Sequence, residues 1–232
     1  MVTDLYLDVL HFVMSRRQIS GGFGFVPTLP ASVEDTYHAI RILEKILPVS
    51  EREVDRLQRD PRLRGYLRSK VGEKAWSSRT LYQYLYISNF SKFVPDNKWL
   101  AELLREDPAK VLSLEERYYL ARIQKEFSQF LSADLPHMVD SPPKRGWRTA
   151  RELLMLIHLW ITCGDPLPAD AHELIGWLQA CQAPDGGFGS VPGSTSFIEN
   201  THWCIEALSL LGSSPLFPHR AREFILRCKR HG

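Results

Sequence analysis

Two adjacent carboxylates, Glu34 and Asp35, stand directly before a threonine in the run Ser32-Val33-Glu34-Asp35-Thr36. A pair of acids at the mouth of an apolar pocket can supply a proton donor when its neighbours keep one acid protonated. It can equally hold a magnesium-bound diphosphate. A second anion-binding feature is the basic cluster Lys144, Arg145, Arg148 and Arg151 at a helix start, where guanidinium forks suit phosphate oxygens. Five aromatic residues, Phe23, Tyr37, Trp177, Phe188 and Trp203, offer faces that accommodate both hydrocarbon and carbocation. Close to the last of them come Glu199, Asn200 and His202. Each feature also has a plainer reading. Ser32 to Asp35 and Ser196 to Glu199 both match the capping box that satisfies free amides at a helix start, and Glu34, Asp35 and Glu199 would complement a helix dipole there. The aromatics recur at core spacing, and the basic cluster can be a solvated face.

These residues are positioned by a repeat. Gly21 to Leu43 (GGFGFVPTLPASVEDTYHAIRIL) reappears 165 positions later, without a gap, as Gly186 to Leu208 (GGFGSVPGSTSFIENTHWCIEAL), with ten of 23 positions identical. Both copies share a grammar: an apolar helix ending in an aromatic-aliphatic pair (Phe12-Val13, Trp177-Leu178), a Gly-rich loop, and a second apolar helix. Fainter echoes lie between them. Tyr66-Leu67 precedes Val71-Gly72 and Thr80, and Phe130-Leu131 precedes Gly146-Trp147 and Thr149. Helical hairpins repeated in this way cannot bury their apolar faces singly and stack into an array with a concave wall. His38 and His202 fall at neighbouring rather than equivalent repeat positions, which implies no shared role.

Apolar residues at helical spacing predict an all-α chain of about ten helices. They run over Asp4 to Arg16, Glu34 to Leu47, Glu51 to Arg59, Ser77 to Phe93, Asn97 to Glu106, Leu114 to Leu131, Arg148 to Cys163, Ala169 to Cys181, Ile198 to Leu211 and His219 to Arg230. Punctuation comes from Pro48, Pro61, Pro95, Pro108, Pro142-Pro143, Gly164, Pro166, Gly212 and Pro215. With 44% hydrophobic residues in 232, a core is readily built. The 29 basic and 27 acidic residues are scattered to a net charge of +2, so no basic stripe for nucleic acid exists. Cys163, Cys181, Cys204 and Cys228 lack any CxxC spacing and read as buried thiols of a reducing compartment. Asp4 and Asp8 are foreign to a signal peptide, and His158 breaks the longest apolar stretch, Leu153 to Cys163. No transmembrane segment and a cytoplasmic location are expected, with peripheral membrane contact left open.

The segment LQACQAPDGGFGSVPGSTSFIENTHWCIEALSLLG resembles the repeat of the prenyltransferase and squalene-oxidase superfamily, found in protein prenyltransferase β subunits and in the β domain of class II terpene cyclases. The resemblance implies an α/α toroid: inner helices form a barrel around an aromatic pocket for an isoprenoid chain, and outer helices wrap it. It implies a single domain over residues 1–232 with degenerate repeats through 51–141, fewer hairpins than a complete ring, and an isoprenoid diphosphate as ligand. A partner subunit or a homo-oligomer would then complete the ring.

Two chemistries follow from the resemblance. Protein prenyltransferases activate a thiolate with zinc, held by an Asp-x-Cys and by a His directly before the repeat Thr. Here no Asp-x-Cys occurs, Asp35 and Asn200 stand before the repeat Thr, and His202 and Cys204 lie two apart on one helix, pointing in different directions. Zinc is therefore unsupported, and magnesium enters only as the option that the acidic pair holds a magnesium-bound diphosphate. Class II cyclases protonate an alkene with the middle Asp of a DxDDT-like motif. In the first repeat Glu34 sits at the acid position, Asp35 follows, and Ser32 replaces the leading Asp. Glu34 and Asp35 are then the catalytic pair, with Phe23, Tyr37, Trp177, Phe188, Glu199, Asn200, His202, Trp203, Arg145 and Arg148 around the substrate. Transfer or cyclisation of the isoprenoid, a non-catalytic binding or interaction toroid, and a β-like subunit awaiting its partner all remain open at this point.

Overall fold

The computed structural model describes residues 2–46, 49–73, 76–104, 112–131, 146–167 and 171–228. Among these residues lie eleven α-helices: α1 (Val2–Met14), α2 (Val33–Lys45), α3 (Glu51–Gln58), α4 (Pro61–Lys70), α5 (Ser78–Phe90), α6 (Asn97–Leu104), α7 (Leu114–Glu126), α8 (Ala150–Cys163), α9 (Ala171–Ala180), α10 (Ile198–Leu210) and α11 (Pro218–Cys228). A 3₁₀ turn at Ser128–Phe130 follows α7, and the only extended pairing among the described residues is a set of isolated bridges. No helix among them is long and apolar enough to cross a membrane. The chain divides into two compact units, Met1–Val111 with Arg122–Pro136 and Leu112–Ala121 with His137–Gly232.

Local chemistry explains where the helices begin. The Ser32, Ser77 and Thr149 hydroxyls accept from the amides of Asp35, Thr80 and Glu152, three residues on in each case. α8 ends at Gly164, left-handed at φ 72°, whose amide donates to the Trp160 carbonyl. One helix was not expected from the sequence: α4 starts on Pro61, which reads as a break. Proline is well tolerated at the first helical position, where its missing N–H would lack a partner anyway, and the Asp60 carboxylate caps the turn.

The two Gly-rich loops make the same backbone hydrogen bonds. In each, the central Phe makes two single antiparallel bridges, Phe23 with Arg17 and Ser32, and Phe188 with Gln182 and Phe197. The Phe23 amide donates to Thr36 Oγ1 at 3.0 Å and the Phe188 amide to Thr201 Oγ1 at 2.9 Å. Each threonine hydroxyl then donates to the N-cap carbonyl, of Ser32 at 2.6 Å and of Phe197 at 2.8 Å. The repeat Thr is thus a buried staple between loop and helix. The threonines of the two fainter echoes, Thr80 and Thr149, do not stand at the staple position. Thr80 lies three residues after the cap Ser77, and Thr149 is itself a cap, so Leu81 and Leu153 fill the fourth position.

The loop glycines are required by neighbouring helices. Gly21 and Gly186 have φ of 100° and 93°, and a Cβ on either would strike backbone, of Arg62 at the start of α4 or of Arg220 at the start of α11. Next to them Gly22 and Gly187 abut Tyr66 and Phe224. α4 in the first unit therefore occupies the place that α11 holds in the second, and α3 is an insertion.

In the first unit Ile40, Leu43, Leu57, Leu63, Leu67 and Leu85 are completely buried. In the second, α8, α9 and α10 share a core that includes Leu153, Ile157, Trp160, Leu178, Phe188 and Leu208. None of the four cysteines is in a disulfide, and only Cys181 and Cys204 are buried. Cys163 and Cys228, the last residues of α8 and α11, are exposed.

Candidate functional site

The adjacent acids of α2 have separate partners. Glu34 points to solvent and pairs with Arg79 of α5, with His38 at 3.8 Å. Asp35 forms half of the expected capping box: its amide donates to Ser32 Oγ at 2.9 Å, but its carboxylate accepts from the Ser32 hydroxyl at 2.6 Å, while the Ser32 amide donates to the Phe23 carbonyl at 3.1 Å. The second copy does not form the box expected at Ser196 to Glu199. Phe197, not Ser196, stands at the N-cap, and the Ser196 hydroxyl bonds the Asp185 carboxylate instead. The physical cause is register, since the S-x-x-E pattern begins one residue too early for this helix.

Asp35 also lines a groove of about 210 Å³ between α1, the Gly-rich loop and α2, walled by Phe12, Phe23, Phe25, Ala39 and Ile42 with His38 at its edge. Phe23 itself is buried. Burial is the largest influence on His38 and outweighs Glu34, so its pKa lies below the ordinary value of 6.5. The neutral imidazole is favoured by folding, and the stability this represents is present above pH 6.5 and lost as the pH falls below it. His38→Asn is expected to flatten the decline in unfolding free energy on acidification below that pH. An identical slope in both proteins, read by urea unfolding, would show that His38 carries none of it.

Tyr37 belongs to a different cluster, formed by α2, α5 and the end of α7 within the first unit. Its ring meets Tyr86 at 5.2 Å and Tyr82 at 6.1 Å, both edge to face, and Tyr82 meets Phe127 at 5.5 Å. Two guanidinium groups lie on these rings, Arg41 at 5.3 Å from Tyr86 and Arg122 at 4.3 Å from Tyr82. Carboxylates complete the array. The Tyr82 hydroxyl donates to Glu126 at 2.9 Å, Arg122 holds the other Glu126 oxygen at 2.7 Å, and the Tyr86 hydroxyl donates to Glu44. Burial, reinforced by Glu44, pushes the Tyr86 phenol up to about 12, and burial raises Tyr82 further, so both hydroxyls stay neutral donors. Burial works against the Arg41 charge, but Tyr37 and the hydrogen bond to Tyr86 outweigh it and raise its pKa.

Of this array only Tyr37 was picked out from the sequence. A usable signal existed: Tyr37 and Arg41 are the fifth and ninth residues after the cap Ser32, and Tyr82 and Tyr86 hold the same places after Ser77. Such i, i+4 pairs share one helix face.

In the second unit the predicted residues are dispersed. Phe188 is fully buried in the core and Asn200 is buried at the start of α10. Trp177 packs edge to face on Trp147 at 6.5 Å, and Arg151 lies over the Trp203 ring at 5.7 Å. Glu199 and Arg148 are exposed. His202 takes one oxygen of Glu206 at 3.2 Å while His158 of α8 takes the other at 3.2 Å, so the carboxylate bridges two imidazoles. Lys144 and Arg145 lie outside the described residues. Among the described residues, no three His, Cys, Asp or Glu side chains are grouped so as to hold a metal ion. The family model of the prenyltransferase alpha-alpha toroid domain matches residues 3–78 and 144–231, well over half of the chain.

Proposed function

From its membership of the prenyltransferase α/α toroid family, to which this chain belongs, we propose that the protein binds an isoprenoid diphosphate on the tyrosine and arginine array of α2, α5 and α7. The observation that carries this reading is the pairing of Arg41 and Arg122 with the faces of Tyr86 and Tyr82. An isoprenoid diphosphate is an apolar chain ending in a strong anion. Aromatic faces take the chain, and guanidinium donors take the phosphate oxygens. Tyr37, half-buried at the edge of the array, extends the apolar surface toward Tyr86.

Binding is better supported than alkene protonation by Glu34 or Asp35. Glu34 lies at the surface in an ion pair with Arg79, and the Asp35 carboxylate is tied to the cap hydroxyl of Ser32 at the start of α2. A cyclase acid needs surroundings that keep it protonated. The reading is therefore a binding toroid, with its catalytic partner, if the reaction requires one, supplied by another chain.

Calorimetric titration with geranylgeranyl diphosphate, with and without magnesium, tests it. Micromolar binding by the wild-type chain is expected, with Arg41→Ala weaker by about 10- to 100-fold through loss of a charge-assisted contact. Glu34→Gln is expected to leave the affinity unchanged. Absence of binding by the wild-type chain would remove the isoprenoid reading, and equal affinity of Arg41→Ala would remove this array as its site.

A further inference from the structure

The repeat twins α2 and α10 are covered differently. Against α10 lies α8, whose Leu153, Leu154 and Ile157 share one core with Cys204 and Ala207 of α10. The Ala150 amide at the start of α8 donates to the Ser190 carbonyl of the Gly-rich loop at 2.8 Å. Just before α8, Trp147 rests on Trp177, and in its first turn Arg151 lies over Trp203. Counted back 165 positions, the residues so covered, Trp177, Ser190, Trp203, Cys204 and Ala207, become Phe12, Phe25, His38, Ala39 and Ile42. All five line the groove on the first unit. Ala39 is buried at the groove floor, but the walls are open: Phe12 is 55% exposed, Phe25 71% and Ile42 39%. Exposed aromatic and aliphatic walls around one groove mark an interaction surface, and in the second copy of the repeat the equivalent residues are covered by a helix, α8.

The chain also presents such a helix with a bare face. α10 and α11 carry an apolar groove walled by Ile198, Ile205, Leu210 and Ile225, on the side of α10 that α8 leaves uncovered. Charge supports this helix as the occupant. Where neighbouring helices pack, the ninth residues after their caps pair: Arg41 with Tyr86 and His158 with Glu206. Carried on from α10 of one molecule to α2 of another, the series sets the Glu206 carboxylate, which already accepts from His158 and His202, toward the Arg41 guanidinium.

We propose that copies of this chain associate head to tail, the α10–α11 edge of one seated in the α1–α2 groove of the next. The two surfaces differ, so the contact is heterologous, and repetition yields a closed ring or an open filament. The experiment is light scattering behind size exclusion from micromolar to sub-millimolar concentration, with wild type, Phe25→Glu and Ile225→Glu. Both substituted side chains are largely or partly exposed, so folding is preserved, and thermal melts verify it. Phe12→Glu serves as a second substitution of the groove. Wild type is expected to assemble and to dissociate on dilution, and each variant is expected to remain monomeric. An equimolar mixture of Phe25→Glu and Ile225→Glu retains one intact edge of each kind, so it is expected to form a one-to-one dimer and nothing larger. A wild-type monomer at every concentration overturns the proposal and leaves the groove to a helix of a different protein. Variants that assemble as wild type does, or a mixture that stays monomeric, also overturn it.

Discussion

Gly186→Ala is expected to destabilise the second unit by about 2–5 kcal/mol, adding left-handed backbone strain of about 1–2 kcal/mol to an overpacking cost of about 1–3 kcal/mol. Gly186 sits at φ 93°, and its missing Cβ leaves the space into which the Arg220 carbonyl of α11 fits. That carbonyl is helix backbone and cannot turn aside as a side chain would. Gly21→Ala meets the same obstacle in the first unit, at φ 100° against the backbone of Arg62. Two other glycines separate the contributions. Gly193 has φ of 78° but faces open space, so Gly193→Ala carries only the strain. Gly65, inside α4 with open space around it, is expected to gain about 0.5–1 kcal/mol as alanine. Urea unfolding of the four variants is the measurement. Equal losses at Gly186 and Gly193 would show that contact with α11 contributes nothing.

Phe188→Ala is expected to cost about 3–5 kcal/mol, because the ring is completely enclosed by the α8, α9 and α10 core and its removal leaves a closed cavity. Phe25, largely exposed two positions beyond the matching Phe23, is expected to lose no more than about 0.5 kcal/mol as alanine. The comparison bears on function as well as folding. Phe188 is one of the aromatics that the family resemblance leads one to expect around a substrate, but a ring with no exposed surface acts on a ligand only through the fold. Chemical denaturation reads the difference directly. A loss at Phe188 as small as that at Phe25 would mean that the loop is held by its hydrogen bonds alone.

Both results concern a loop whose shape is written in short-range chemistry. The residues that make it, two glycines, a phenylalanine and a threonine thirteen positions on, occur in both copies and form the same bonds in both. Local rules of this kind made the repeat, the helical class and the family legible from the sequence. They misled where a rule was applied out of register. Ser196 begins a capping pattern but precedes the true cap, Phe197, and Thr80 and Thr149 resemble the repeat threonine but stand at other positions of their helices. Pro61 reads as a break because a proline signals the end of one helix and the first turn of the next equally well.

By itself, then, the sequence determined what depends on neighbours along the chain: helices with apolar stripes, their caps, the glycine turns and a repeat specific enough to name a family. Tertiary structure decided which partners the polar groups found. Glu34 and Asp35 are adjacent in sequence but answer to Arg79 and Ser32, and Tyr37 gains its meaning from Tyr82 and Tyr86, more than forty residues away. It also decided that α10 is covered by α8 while the matching face of α2 lies open. The physical reason is that periodicity reports how a helix is oriented to a core, whereas burial, charge pairing and exposure depend on which other helix packs against it, and that choice is made between residues far apart in the chain.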